Sequence, residues 1–317
     1  MNTKNWQKIN YIEELITMDK NFKSGFVTLI ARPNVGKSTL LNKIAGQKIA
    51  ITSPVAQTTR HQIKCIHTDN VSQIIFTDTP GVHKPLNKLG EFLSEESKTS
   101  LEDTDIILFL VDANDEAGAG DRWIVENYLK NINKPIIIAA NKIDTAKKEK
   151  LEFNIISYKQ LFEKNYPIIK ISAKTGKNLS VLLDEIKKHL PNGEKLYPDD
   201  EITDQNLRAI ASEIIREKII LNTKDEIPHS VAVLIEEYKQ TETIDRIKAQ
   251  IIVSQESQKG IIIGKNGSML KKIGQEARLE IEDVAQNKVY LEIFVKVKKA
   301  WQKDKNALKM LGYEIKK

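Results

Sequence analysis

The chain has 317 residues, with 49 Lys and Arg against 43 Asp and Glu, and a single cysteine. That length suits about two domains, and the small basic excess leans toward a polyanionic partner. One thiol excludes an internal disulfide framework and fits a reducing compartment, so a cytoplasmic home is expected.

In chain order, residues 1–21 precede the first strand and read as a flexible extension. Their start, MNTKNWQKINYIEEL, is too polar for a secretory signal, and Met18 offers an alternative beginning. GFVTLIA then leads into a helix after Gly36. HQIKCIHTDN and VSQIIFTD read as two strands around a polar turn, with Cys65 a small buried hydrophobe between Ile63 and Ile66. Next come a helix over 87–101, strand DIILFLVD, a helix near 121–131, strand PIIIAAN, a helix near 146–164, strand PIIKIS and a helix ending at Leu190. Apolar runs such as IILFLV are far short of the roughly 20 residues that cross a bilayer. They suit strands buried on both faces of a parallel sheet. Strands alternating with helices predict a doubly wound, mostly parallel α/β domain over 22–190, with ligands at the carboxyl ends of its strands.

Residues 191–205, PNGEKLYPDDEITDQ, read as a linker. The order of elements then changes. A helix over 206–222 precedes strands HSVAVLIEEY and TIDRIKAQIIVS. A short helix, GKNG, a helix over 268–283, strand KVYLEIFVKVK and a last helix over 299–311 complete an α+β domain spanning 206–317.

Four strings carry chemistry. ARPNVGKST, residues 31–39, nearly spells the phosphate loop G-x-x-x-x-G-K-[ST], with Ala31 in place of the first glycine. In such a loop the backbone from Asn34 through Val35 and Gly36 to Thr39 cradles phosphate at a helix N-terminus. Lys37 reaches the β- and γ-phosphates, and the Ser38 hydroxyl binds Mg²⁺. The first glycine only starts the turn, so Ala31 removes no phosphate contact. DTPG supplies Asp78, which can hold Mg²⁺ through water, and Gly81, whose N–H can sense a γ-phosphate. NKID supplies Asn141, Lys142 and Asp144, a carboxylate that can accept two hydrogen bonds from guanine N1 and N2. SAK, Ser172 to Lys174, brings the Ala173 N–H within reach of guanine O6. Each string alone is a plausible turn. In this order, each after a strand, they point to GTP and GDP.

ARPNVGKSTLLN, QTTRH and DTPG resemble the Era-like branch of the Ras-like GTPases. The resemblance implies a P-loop GTPase domain in which Lys37, Thr59, Asp78 and Gly81 serve catalysis and Ser38, Thr59 and Asp78 serve Mg²⁺. Thr59 is the switch threonine, with Thr58 its rival. Where many GTPases place a water-orienting glutamine after the DxxG glycine, this chain has Val82. His83 follows, but a lone loop histidine is usually a surface residue, so slow intrinsic hydrolysis is expected. Relatives that depend on K⁺ use an asparagine at the position of Asn34. Asn34 is otherwise a plain nest residue, and both readings stay open.

In the second half, IIIGKNGSMLKKIG fits a GXXG loop between helices. Ile263 leads into it, and Gly264 and Gly267 keep the backbone bare. Lys265 and Asn266 lie between them, and Lys271, Lys272 and Arg278 follow. Such a loop clamps about four nucleotides of single-stranded nucleic acid. A surface turn is the plainer alternative. The order α-β-β-α-α-β resembles a type II KH domain. Lys296, Lys298, Lys299, Lys303, Lys305 and Lys309 extend the basic surface, and Trp301 either stacks a base or, more simply, anchors the last helix. SEIIREKI, GIIIGKNG and VKVKKAW extend the resemblance over residues 22–317. It implies a monomeric GTP-driven switch that binds small-subunit ribosomal RNA near its 3′ end and assists 30S subunit biogenesis. Some members also associate peripherally with the inner face of the cell membrane. Two rivals are a tRNA-modification GTPase, which should carry a further domain, and an RNA-binding protein whose nucleotide domain is inactive.

Overall fold

Six strands form the first sheet: β1 (Lys23–Ile30), β2 (Ile63–Thr68), β3 (Ser72–Asp78), β4 (Ile106–Asp112), β5 (Ile136–Asn141) and β6 (Ile168–Lys170), in the order β2-β3-β1-β4-β5-β6. The computed structural model describes residues 21–53, 62–80 and 88–313. All neighbouring strands are parallel except β2, which is antiparallel to β3. β3 and β4 are buried along their whole length. Helices cover both faces, as their apolar stripes require. On one face lie α1 (Lys37–Ala45) and α5 (Leu179–His189), through Leu40, Leu41, Leu182 and Ile186. On the other lie α2 (Lys88–Glu102), α3 (Ala119–Ile124), which continues as a π turn over Val125–Leu129, and α4 (Lys148–Lys159).

The stretch read as a linker is held against the sheet. Ile66 N–H donates to Ile202 O at 2.9 Å, and Cys65 bridges Thr203. The Gln73 side chain accepts from Leu196 and Tyr197 N–H at 2.7 and 2.9 Å. This backbone covers the outer edge of β2, which would otherwise present unpaired groups.

Beyond it, α6 (Leu207–Asn222) begins at Asn206, whose side chain accepts from Ala209 N–H at 2.9 Å. A four-residue helix, α7 (Ile227–Ser230), follows where only a strand was expected. Then come β7 (Ala232–Lys239), β8 (Ile244–Val253), α8 (Glu256–Ile263), α9 (Ser268–Ala285), β9 (Lys288–Val297) and α10 (Lys305–Met310). The sheet order is β7-β8-β9, antiparallel and then parallel. One face of this sheet buries Ile247, Ala249, Ile251 and Val289 against α6, α8 and α9. The final helix is shorter than expected. Ala300 at φ 51° stops regular structure, and the Asp304 carboxylate then caps a new start by accepting from Asn306 N–H at 2.9 Å.

The two halves share a small apolar cluster. Leu89 and Leu93 of α2 meet Ala232, Ile252, Trp301, Leu308, Leu311 and Tyr313. Trp301 is fully buried, and its ring N–H donates to Ser230 O at 2.9 Å. It is an anchor, so base stacking by Trp301 is excluded.

Candidate nucleotide and nucleic-acid sites

β1 ends at the phosphate loop, and α1 starts on its far side. Ala31 is fully buried in the sheet core and does not adopt a left-handed φ, so alanine fits where the usual pattern has glycine. Gly36, at φ 106°, admits nothing larger. A Cβ there would lie 2.5 Å from the Asn141 amide nitrogen. Asn34 is exposed and left-handed at φ 63°, a conformation asparagine tolerates.

Asn141 ties three of the four strings together. Its amide donates to Val35 O at 2.8 Å, and its carbonyl oxygen accepts from Ala173 N–H at 2.8 Å. Lys142 donates to Asn34 O at 2.8 Å and to Asp112 at 2.6 Å. Burial works against the Asp112 charge, yet Lys142 and Asn114 hold its carboxyl below the usual range. Asp144 is exposed, and its carboxylate accepts from the Ser172 hydroxyl at 2.6 Å. A carboxylate fixed this way at the strand ends suits recognition of a base edge.

Lys37 is buried, and that burial lowers its pKa, while Asp78, 4.0 Å away, opposes the shift. The Ser38 hydroxyl donates to Asp78 at 3.5 Å. A hydroxyl beside a carboxylate is a hard oxygen pair, and it fits Mg²⁺. Thr79 donates to Leu29 O at 2.7 Å and so pins DTPG to β1. Thr58, Thr59, Gly81, Val82 and His83 lie outside the described residues.

In the second domain Gly264, at φ 72°, follows α8. A Cβ there would lie 2.7 Å from the Met269 Cβ, so only glycine fits. Asn266 and Gly267 are also left-handed, at φ 53° and 75°, and a single turn joins them to α9. Lys265, Asn266, Lys271 and Lys272 are exposed, Ile263 is half-buried, and Ile261 remains 48% exposed beside the loop. A bare backbone turn with cations and one open apolar side chain is what a nucleic-acid clamp requires.

A family of GTPases, described as 50S ribosome-binding GTPases, matches residues 26–142, and the KH domain family matches 226–302. GTPase Era of Nostoc sp. is 48% identical over 295 residues, covering 93% of this chain and 90% of that protein. GTPase Era of Thermoanaerobacter sp. is likewise 48% identical, covering 93% and 98%. This chain belongs to the GTPase Era family. It is a GTP-hydrolysing enzyme, with a Ras-like P-loop domain followed by a KH domain. Two crystal structures align with a TM-score of 0.89 at 42% identity, covering 93% of this chain and all of theirs. One is a variant of Aquifex aeolicus Era bound to GDP·AlF4⁻. The other is Era with MgGDPNP and nucleotides 1506–1542 of 16S ribosomal RNA.

Two expectations change in detail. Both ends of the Asn141 amide are engaged within the protein, so Asn141 braces the pocket. The Ala173 N–H is directed to Asn141, so it is not a free donor for a base oxygen. Cys65 is fully buried, and burial pushes its thiol up to about 12, which fits an inert hydrophobe.

Sequence reasoning missed Arg32 and Asp121. Arg32 Nε lies 2.9 Å from Asp121, which is fully buried at the start of α3. This pair ties the phosphate loop to the neighbouring strand's loop. Gly120 permits it, because a Cβ there would lie 2.9 Å from Arg32 Cδ. The signal was a charged residue in a loop of small ones, opposite GAGD at 118–121.

Among the described residues, no helix is long and apolar enough to cross a membrane.

Proposed function

We propose that this GTPase is a molecular switch that binds small-subunit ribosomal RNA near its 3′ end and assists assembly of the 30S subunit. The observation that carries the reading is the GKNG turn. Its first glycine cannot be replaced without colliding with Met269, and Lys265 within it, like Lys271 and Lys272 beyond, faces solvent. The Era complex with a segment of 16S ribosomal RNA supports the same reading.

The residue roles are these. The backbone from Asn34 to Thr39 cradles phosphates, and Lys37 neutralises the charge that grows on them in the transition state. Ser38, Thr59 and Asp78 would hold Mg²⁺, which would draw off phosphate charge. Gly81 senses the γ-phosphate. Asp144 reads guanine, with Ser172, Ala173 and Asn141 fixing it and Lys142 bracing the phosphate loop from beneath; Lys174 borders the base. Ile263, Gly264, Lys265, Asn266, Gly267, Lys271 and Lys272 form the RNA groove. The domain limits follow as 22–190 and 206–317.

Because Val82 cannot polarise water, intrinsic hydrolysis is slow. K⁺ held near Asn34 would raise it. The left-handed backbone there makes Asn34→Gly the suitable probe, since glycine keeps φ and removes the side chain. Phosphate release should be faster in KCl than in NaCl for the native chain, and alike in both for the variant. The protein works as a cytoplasmic monomer, peripheral on the inner face of the cell membrane. Crosslinking in cells, with sequencing of the bound RNA, tests the central claim. Reads spread over messenger or transfer RNA, without enrichment at the small-subunit 3′ end, would overturn it.

A further inference from the structure

The second sheet has an outer face turned away from α6, α8 and α9. Along β8 the buried side chains Asp245, Ile247, Ala249 and Ile251 alternate with Arg246, Lys248 and Gln250. Along β9 Lys288, Tyr290, Glu292, Phe294 and Lys296 fall on that same outer face, since Val289, Leu291, Ile293 and Val295 join the core. At one end the outer face is covered, where Ala232, Leu234 and Ile252 meet α2 and the C-terminal residues. Tyr290, in register with Arg246 toward the other end, and Phe294, level with Gln250 and Leu234, remain 48% and 50% exposed.

Two half-exposed rings on one strand face offer π surface to a partner. A cation from the adjacent strand lies near each ring. Arg246 lies 5.8 Å from the Tyr290 ring centre, and Lys248 lies 5.5 Å from that of Phe294. The rings stand four residues apart on one strand, roughly 13 Å. Lys288 and Lys296 flank them, and the lysine run 296–309 continues from the end of β9. Of the acidic neighbours, Glu292 accepts from the Tyr290 hydroxyl at 2.9 Å, Glu237 pairs with Lys239 at 2.5 Å, and Glu236 lies 3.8 Å from Lys248 and accepts from Gln250 at 3.1 Å, which leaves Arg246, Lys288 and Lys296 as the cations of the face. The surface left over is cationic and aromatic, the chemistry that takes unpaired bases by stacking and their phosphates by charge.

We propose that this outer sheet face is a second RNA site, a stacking platform for unpaired bases with Tyr290 and Phe294 as its rings. The inference rests on the RNA-binding reading above. A GXXG groove reaches only about four nucleotides, whereas the RNA in the Era complex runs from 1506 to 1542. A second surface gives the remaining RNA a place to bind.

The test uses the full chain, the RNA 1506–1542 and a six-nucleotide RNA from its 3′ end. The double variant Tyr290→Leu, Phe294→Leu keeps apolar bulk and removes both π faces. It should lose at least about tenfold in affinity for the long RNA and bind the short one as the native chain does. Tyr290→Phe, Phe294→Tyr should restore the long-RNA affinity. If the leucine variant binds the long RNA undiminished, the platform is wrong and the KH reading stands. If the native chain self-associates in sedimentation and the leucine variant does not, the face is an interface between copies and the proposal also fails. If the native chain binds neither RNA, the underlying reading fails with it.

Discussion

Glu217 Oε1 accepts the backbone N–H of Thr52 at 2.8 Å, which joins α6 of the KH domain to the chain leading out of α1. Lys48 reinforces the joint. Its ammonium reaches Glu217 at 2.5 Å and also Glu280 of α9, the helix that begins at the GKNG turn. Lys218 pairs with the same two carboxylates. On the other side Asn42 of α1 accepts from Ile49 and Ala50 N–H, each at 2.9 Å. Glu217 is 2% exposed, so its charge relies on these partners. Glu217→Ala leaves the Thr52 N–H unmet and removes one carboxylate partner from each of Lys48 and Lys218. It should lower unfolding stability by about 1–3 kcal/mol. Urea unfolding measures this, and an unchanged midpoint would show that the cluster merely decorates the contact.

In the proposed reading, base choice falls to Asp144. Asp144→Asn replaces an acceptor with an amide that can donate to the 2-oxo group of xanthine. GTP binding should weaken by about 2–4 kcal/mol, and xanthosine triphosphate should bind in its place. Ser172→Ala frees the carboxylate that the hydroxyl holds at 2.6 Å, and should give a smaller loss with no change of base. Competition against labelled GTP reads both. Native protein that binds ATP as well as GTP would overturn the assignment of NKID.

Ala31 and Lys37 should separate cleanly. The Ala31 methyl lies in the sheet core, away from the phosphates. Ala31→Gly should shift GTP affinity by less than about tenfold, or roughly 1.4 kcal/mol. Lys37→Ala removes a buried cation from the phosphate cradle and should cost far more. Equal losses in a titration with GDP and GTP would mean that the first loop position does more than start the turn.

Glu96 makes stability depend on pH. It sits on α2 beside a cavity of about 900 Å³ between the domains, lined also by Phe26, Lys64, Arg208 and Leu234. Burial pushes its carboxyl up to about 7, against the Gln62 N–H, which favours the charged form. Between the ordinary glutamate value of 4.5 and about 7, the folded chain holds a proton that the unfolded chain has released. Stability from this group is therefore full at the acid end and lost as pH rises through 7. Glu96→Gln should flatten that part of the pH profile of thermal unfolding. A variant with the native slope would place the proton elsewhere.

How much of this was legible in the sequence depends on the kind of signal. Apolar runs such as IILFLV and the four nucleotide strings are local, so the sheet and the loops at its strand ends could be read directly. The bracing role of Asn141 could not, because it depends on Val35 and Ala173 arriving from distant positions. Arg32 with Asp121, and Lys48 with Glu217, were hidden for the same reason. The stretch at 191–205 reads as a free linker from its Pro and Asp content, yet its backbone completes the edge of β2 through Ile202 and Thr203. The C-terminal helix is shorter than periodicity implies: Ala300 is left-handed, a single turn over Trp301–Lys303 follows, and the helix proper begins only after the Asp304 cap.

The two domains can be separated by charge at the GKNG turn. Changing Lys265 and Asn266 both to Asp keeps Gly264 and Gly267, on which the turn depends. Aspartate, like asparagine, tolerates the left-handed backbone at position 266. Both side chains are exposed, so no buried contact is lost. Two carboxylates then stand where the RNA phosphates must lie, and like charges repel strongly at that range. Affinity for small-subunit RNA should fall by orders of magnitude. GTP affinity, set by Lys37 and Asp144 in the other domain, should stay within experimental error. Thermal unfolding measured alongside distinguishes lost contacts from a collapsed domain. If a folded double variant binds that RNA as the native chain does, the GKNG turn is only a turn. RNA would then have to be held by the lysines at 299, 303 and 305, and the KH fold would serve as a scaffold for them.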